Sequence, residues 1–288
     1  MNSPCVRSPI KASNPQPGSP TAWRLVDDPP GPAAWNMAVD ETLVASLRTG
    51  GRPTLRLYGW GQPSLSLGYR VPHPPDDPEG NWIRRADANG VELVRRPTGG
   101  GAVLHCEDLS YSVAAPLETA PIPERMRASY EWIRSALLDA LCAAGIDASA
   151  ARGDRRAGSE SLCFKASTGT EIEAAGLKLV GSAQRRTRWG FLQHGSIRLR
   201  DDSELYRKLF DTSPGPAVPG NRHTDPARLR CAIVAAFERA LEAPLERAPL
   251  SAAELAQARW RDQLRKLDRL CAPSLFSSAS TYSADNAR

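Results

Sequence analysis

The stretch CFKASTGTEIEAAGLKLVGSAQRRTRWGFLQHGS, Cys163–Ser196, reads as three strands in a meander. Glu171, Ile172 and Glu173 alternate in polarity, and Ala175-Gly176 suits a tight turn. Successive side chains on a strand face opposite sides. That predicts Leu177 and Leu179 on one side and Lys178, Val180 and Ser182 on the other. Gln184 to Gly190, with three arginines and a glycine, reads as a second, longer turn, and Phe191 to Ile197 as the returning strand. A lone cysteine, Cys163, stands at the mouth of the meander, fifteen residues before Lys178. A thiol beside an ammonium suits nucleophilic chemistry, because the cation favours the thiolate and the thiolate is the reactive form. Taken singly, the same residues read as a small core hydrophobe and a solvated strand lysine. Spacing alone leaves both readings open.

Outward from this meander, the chain alternates strands and helices. Toward the N-terminus, Trp35, Val39, Leu43 and Leu47 recur every four residues behind Pro32, and Gly50-Gly51 stops that helix. Thr21–Val26, Thr54–Tyr58, Ser64–Leu67, Val91–Arg95, Ala102–His105 and Leu109–Ala114 read as strands, with a short element at Ile83–Ala86. A long helix is expected from Pro123 to Ala144 and a further strand within Asp147–Ala151. Beyond the meander, Asp202 or Ser203 caps a short helix to Phe210, and Asp225-Pro226 opens another with Leu229, Ile233, Phe237 and Leu241 inside. Ser251 and Glu254 have capping-box spacing for a last helix to about Leu270. Residues 1–20 and 271–288 are Ser-rich and aperiodic, so disordered tails are expected around a single catalytic domain, 21–270.

With 288 residues, 41% hydrophobic, the chain is long enough for a sizeable core. It has no run of the ~18 apolar residues a membrane span needs and no apolar segment of a secretory signal at its start, so a cytoplasmic protein without membrane partners is expected. The six cysteines form no C-x-x-C pair, which argues against a zinc or redox site; no metal is expected. Cys142 and Cys231 fall within helical apolar patterns and are expected in the core. A net charge of +5 favours acidic partners; without a nucleic-acid-binding signature, no nucleic acid is expected among them.

A second constellation is RRPTGGGAVLH, Arg95–His105. Without Cβ atoms, Gly99, Gly100 and Gly101 let the backbone take positive φ and approach a ligand, so that N–H groups converge on a carbonyl oxygen or phosphate. Arg95 and Arg96 add cationic donors at the rim. A plain glycine-rich hairpin is the other reading. No Gly-Lys-Ser/Thr follows, so it is not a Walker A loop. The β-branched and apolar Ala102-Val103-Leu104 marks a strand after the loop, where a dinucleotide fingerprint needs a helix.

RRPTGGGAVLH, with LSYSV at Leu109–Val113, GLKLVGSAQ at Gly176–Gln184, LQHGSI at Leu192–Ile197 and WNMAVDE at Trp35–Glu41, resembles the lipoate–protein ligase and octanoyltransferase superfamily over about residues 23–245. The resemblance implies an α+β fold, a mixed, largely antiparallel sheet flanked by helices, as in the biotin/lipoyl-ligase catalytic domain. Cys163-Phe164, followed by Lys178 within G-x-K-x-x-GSAQ, resembles the LipM-type carrier-protein:protein N-octanoyltransferases. That implies an acyl thioester on Cys163, with Lys178 lowering its pKa. It also implies an octanoyl acyl carrier protein as donor, and as acceptor a lipoyl domain of a 2-oxoacid dehydrogenase E2 subunit or of glycine cleavage H protein. No cofactor is needed. The expected substrate-binding residues are Arg95, Arg96, Gly99, Gly100, Gly101, His105 and Ser182.

Two departures stand out. Cys106 follows His105 where the superfamily commonly has Asp, which makes Cys106 a rival nucleophile; Thr168-Gly169-Thr170 replaces a bulky aromatic. For His105 and His194 a structural role competes with a catalytic one. Arg185, Arg186 and Arg188 suit either a solvated turn or an acidic protein partner. An ATP-dependent lipoate–protein ligase would share the glycine loop and Lys178 but has no need of Cys163. No accessory-domain pattern follows about residue 245. An amidotransferase between lipoyl proteins would use the same cysteine, and a non-catalytic binder of lipoyl domains would use neither Cys163 nor Lys178.

Overall fold

The computed structural model of the chain describes residues 22–69, 81–151, 171–211 and 224–271. Cys163, the Thr168-Gly169-Thr170 departure, the loop feeding Cys163 and both expected tails lie outside them, apart from Cys271. The first half runs β1 (Arg24–Asp27), α1 (Ala33–Ser46), β2 (Thr54–Tyr58), β3 (Ser64–Leu67), α2 (Asn81–Ala88), β4 (Glu92–Arg95), β5 (Ala102–His105), β6 (Leu109–Ala115) and α3 (Met126–Ala143). The second runs β7 (Ser149–Ala150), β8 (Ile172–Ala174), β9 (Leu177–Arg186), β10 (Phe191–Ile197), α4 (Ser203–Phe210), α5 (Pro226–Leu241), β11 (Glu246–Arg247) and α6 (Ala252–Cys271).

The strands form two sheets, one ordered β11-β1-β2-β6-β10-β9-β8-β7 and the other β4-β3-β5. β11–β1, β1–β2 and β3–β4 are parallel and the remaining pairs antiparallel, which is the mixed, largely antiparallel α+β architecture expected. One face of the large sheet carries the main core. Leu55, Leu57, Tyr111, Val113 and Phe191 pack there against Ile133 and Leu137 of α3 and Ile233 and Phe237 of α5. Each such fully buried side chain contributes roughly 1.5–3 kcal/mol. On the opposite face, Val39 and Leu43 of α1 meet Ala114 and Leu192. The small sheet has its own core, with Leu65, Leu67 and Leu104 against Trp82 of α2 and Leu209 of α4. Met37, Tyr58, Trp60 and Val94 join the two sheets along α1.

Local chemistry explains most boundaries. Ala175 (φ 51) and Gly176 (φ 73) both take the left-handed conformation that a two-residue hairpin between β8 and β9 requires. The Asp225 side chain accepts from Ala227 N at the start of α5. The capping box forms in both directions: Ser251 N donates to Glu254 Oε2 at 2.8 Å and Glu254 N to Ser251 Oγ at 3.2 Å. The Glu254 carboxylate also takes two bonds from Arg24, both at 2.8 Å, tying α6 to β1. Burial alone would raise Glu254, but the Arg24 and Ser251 bonds outweigh it and bring its pKa down to about 2.

Four expectations need correction. The long turn at Gln184–Gly190 is shorter: β9 continues to Arg186, which pairs with Phe191, and Thr187 Oγ1 closes the turn on Gly190 O at 3.1 Å. Strict alternation fails in β9. Val180 pairs with Ile172 and Lys178 with Glu173, so the register steps over Leu179. Leu177, Leu179 and Val180 all pack on the main core, and Lys178 is turned to the other side of the sheet from Val180. α3 starts at Met126, not Pro123, because Arg125 keeps an extended backbone (φ −68, ψ 132). Cys142 and Cys231 are exposed: Cys142 sits one position past buried Leu141, and Cys231 two positions from both Leu229 and Ile233, on the far side of its helix.

Candidate active site

The glycine loop joins β4 to β5 and so crosses the end of β3, which lies between them. Gly68 follows β3, and the crossing is tight: a Cβ there would lie 1.8 Å from Gly100 O. Gly100 takes φ +93, a conformation glycine adopts without a steric penalty. The loop's carbonyls are taken up by protein donors. Tyr69 N donates to Thr98 O at 3.0 Å, Gly68 N to Gly101 O at 3.3 Å and Arg185 Nη1 to Pro97 O at 3.4 Å. Arg96 reaches Gly99 O with Nη2 at 2.7 Å and Nε at 3.1 Å, and Ser66 O with Nη1 at 2.9 Å. Arg95 Nη1 donates to Gly68 O at 3.0 Å, and burial pulls its guanidinium down from the ordinary value. In a trans peptide the C=O and the next N–H point in opposite directions. The amides of Thr98, Gly99 and Gly100 therefore face away from these donors.

His194, on β10, ties this loop to the large sheet. Its Nε2 lies 2.6 Å from Thr98 Oγ1 and its Nδ1 2.9 Å from Asp40 Oδ2. Asp40 comes from the buried face of α1. Arg56 Nη1 and Ser112 Oγ, each at 2.9 Å, donate to its Oδ1, and Tyr58 OH donates to its Oδ2 at 3.1 Å. Burial would raise the Asp40 carboxyl; the His194 hydrogen bond, the Arg56 charge and the Ser112 bond overcome it and hold it below the usual carboxylate range. Burial and the Asp40 charge in turn push the Tyr58 phenol well up. Sequence reading noted WNMAVDE but not this role. The available signal is Asn36 and Asp40, two polar residues one helical turn apart among the apolar Met37, Ala38 and Val39 of a largely buried helix.

His105 sits between the sheets, buried and stacked on Trp60 with ring centroids 3.8 Å apart. Ser66 Oγ lies 2.8 Å from its Nε2, and Asp108 Oδ2 3.1 Å from its Nδ1. Both nitrogens are engaged, which makes the ring a brace between β3 and the turn that leads into β6. Burial lowers its pKa, against the Asp108 bond and charge.

Lys178 Nζ forms an ion pair with Glu171 Oε1 at 3.2 Å, both side chains largely buried. Ser182 Oγ lies 2.8 Å from Tyr111 OH, which also accepts from Gln193 Nε2 at 3.1 Å. This places Ser182 on the main-core face, on the other side of β9 from Lys178. Cys106 is half-buried, and burial with the Asp108, Asp202 and Glu107 carboxylates pushes its thiol up to about 11. That environment is the opposite of what a nucleophilic thiolate needs. Among the described residues no group of His, Cys, Asp and Glu is arranged to hold a metal ion, and no helix is long and apolar enough to cross a membrane.

Residues 32–225 match the family model of the lipoyl protein ligase A/B catalytic domain. The chain belongs to that family. Among its relatives, octanoyltransferase LipM of Kyrpidia tusciae is 42% identical over 191 residues, covering 63% of this chain and 68% of that protein. The LipM of Halalkalibacterium halodurans is 33% identical over 268 residues, covering 82% and 93%. Solved lipoyl ligase structures share the fold. A lipoate-protein ligase A bound with ATP superposes with TM-score 0.64 at 22% identity, over 84% of this chain and 94% of that one. A bipartite lipoate protein ligase studied with its E2 lipoyl domain, from Thermoplasma acidophilum, gives 0.66 at 20%, over 84% and 92%.

Proposed function

We propose that this chain is an octanoyltransferase of protein lipoylation that takes an octanoyl group from acyl carrier protein and passes it, through Cys163, to the lysine of a lipoyl domain. The observation that carries this reading is the identity to LipM octanoyltransferases, which reaches 93% of the length of one of them. The buried Lys178–Glu171 pair and the inward-braced glycine loop support it.

The Cys163 thiolate, favoured by the Lys178 ammonium, attacks the carbonyl carbon of the donor thioester. Negative charge develops on the carbonyl oxygen, where the amides of Gly99 and Gly100 donate to it; one such donor is typically worth ~3 kcal/mol. The bond to the carrier sulfur breaks, Lys178 protonates the departing thiolate, and the acyl group remains on Cys163. The acceptor amine then attacks the acyl-cysteine and loses a proton to neutral Lys178. A C–N bond replaces the C–S bond, and the Cys163 thiolate and Lys178 ammonium are restored. Exchange of one thioester for another is nearly balanced and amide formation is downhill, so the reaction draws on no ATP. Glu171 fixes Lys178 Nζ throughout. Arg95 and Arg96 shape the loop, Gly100 lets it turn, and His105 and Ser182 brace the strands of the small and large sheets. The acceptors are lipoyl domains of 2-oxoacid dehydrogenase E2 subunits or of glycine cleavage H protein. The enzyme acts in the cytoplasm as one catalytic unit over about residues 21–270.

The test is incubation with octanoyl-carrier protein and a lipoyl domain without nucleotide. The lipoyl domain is expected to gain one octanoyl group. Modification only with a free acid and ATP would instead make the chain a ligase.

A further inference from the structure

We infer that Asp40, His194 and Thr98 form a directional hydrogen-bond chain that sets the glycine loop in register with strand β10, making all three positioning residues for acyl transfer. The inference rests on the reading of that loop as the cradle for the reacting carbonyl. Its support is the geometry of three groups drawn from three separate elements: helix α1, strand β10 and the loop itself.

The direction of the chain follows from donor and acceptor capacity. Ionised Asp40 can only accept, so His194 Nδ1, 2.9 Å from it, carries a proton. Arg56 and Ser112 occupy the other oxygen of the same carboxylate and prevent it from rotating. The imidazole orientation is thus imposed from the core. Thr98 is fully buried, and a buried hydroxyl needs an acceptor for its hydrogen. His194 Nε2, at 2.6 Å, is in place for it. In this assignment Nδ1–H donates to Asp40 and Nε2 accepts from Thr98. This is the base-and-orienter arrangement of hydrolase triads. Here it ends on a hydroxyl that lies too deep to reach a substrate, so its output is position rather than nucleophilicity.

Position matters at this residue because Thr98 immediately precedes the glycines. Its own carbonyl is held by Tyr69 N and its side chain by His194, so the peptide that presents the Gly99 amide is held through two groups of Thr98. A cradle held this way is set before substrate arrives, which is what makes such donors effective in a transition state. Loss of the chain is expected to act on turnover rather than on substrate capture.

The test compares Thr98→Val with Thr98→Ser in the full-length protein. Three readouts are taken: nitrogen NMR of His194 in the wild type, amide exchange of Gly99–Gly101, and steady-state transfer of octanoyl groups. The wild type is expected to show a protonated Nδ1 and an unprotonated Nε2; the reverse tautomer, or protonation of both nitrogens, would overturn the chain. Thr98→Val is expected to speed loop exchange and lower kcat by about tenfold to a hundredfold with little change in KM. Thr98→Ser, which keeps the hydroxyl, is expected to restore both. Unchanged exchange and unchanged kcat in a folded Thr98→Val would overturn the inference. The NMR and exchange readouts do not depend on the acyl substrate. Failure of the wild type to transfer octanoyl groups would sink the proposed activity while leaving those two readouts to judge the chain, and a misfolded valine variant would leave the wild-type tautomer decisive.

Discussion

Replacing Gly68 by alanine probes the placement of the glycine loop with a single atom. The new Cβ would stand 1.8 Å from Gly100 O, 2.9 Å from Gly100 C and 3.2 Å from Gly100 N. All three are backbone atoms, so no side chain can swing away to relieve the clash. The carbonyl must retreat by about 1.6 Å to reach ordinary contact at 3.4 Å. Forced backbone shifts of this kind cost roughly 1–3 kcal/mol of stability. The larger effect falls on chemistry, since a misplacement of about 1 Å in a reacting geometry costs on the order of a hundredfold in rate. Single-turnover transfer from octanoyl-carrier protein to a lipoyl domain, with a thermal melt on the same samples, separates the two effects. Gly99→Ala is the stability control: an added Cβ there meets nothing within 4 Å, so its melting curve is expected to match the wild type. If Gly68→Ala remains folded and transfers at the wild-type rate, the loop does not hold the reacting carbonyl where this account puts it.

Three further outcomes are expected. The Glu254 carboxylate, ordinarily near 4.5 and brought down to about 2, contributes stability that is fully present above 4.5 and is lost as pH falls through about 2. Glu254→Gln should therefore cost on the order of 3 kcal/mol at neutral pH and remove that part of the acid sensitivity, as read from urea unfolding across the pH range; an unchanged profile would contradict the Arg24–Glu254 tie. Alkylation at pH 8 should label exposed Cys142 and Cys231 well before Cys106, because a thiol near 11 is about one part in a thousand thiolate at that pH; early labelling of Cys106 in a peptide map would reverse its exclusion as a nucleophile. Lys178→Ala should slow acylation near neutral pH and recover as pH rises past about 8.5, the ordinary cysteine range. A flat pH profile would count against the ammonium as the group that favours the thiolate.

Much of the framework is readable from local chemistry. Thr54–Tyr58, Ser64–Leu67, Ala102–His105 and Phe191–Ile197 are strands with the boundaries their apolar patterns give, and the Ser251/Glu254 box and Ala175-Gly176 turn form as their residue types require. The step in register at Leu179 is not readable, because counting alternate residues assumes an unbroken pairing that only the partner strand can decide. Nor is the polar centre. Asp40, Arg56, Thr98 and His194 lie up to 154 positions apart, and their hydrogen bonds leave no period in the chain. Cys142 and Cys231 show the limit of a helical pattern: one step of rotation separates Leu141, in the core, from Cys142, in solvent.

Intact mass spectrometry of the protein mixed with octanoyl-carrier protein, without acceptor or nucleotide, goes directly to whether an acyl group rests on Cys163. The wild type and Cys106→Ala are expected to gain one octanoyl group, and Cys163→Ala none. An adduct that survives in Cys163→Ala, or no adduct on a wild type that still modifies lipoyl domains, would contradict the relay through that sulfur.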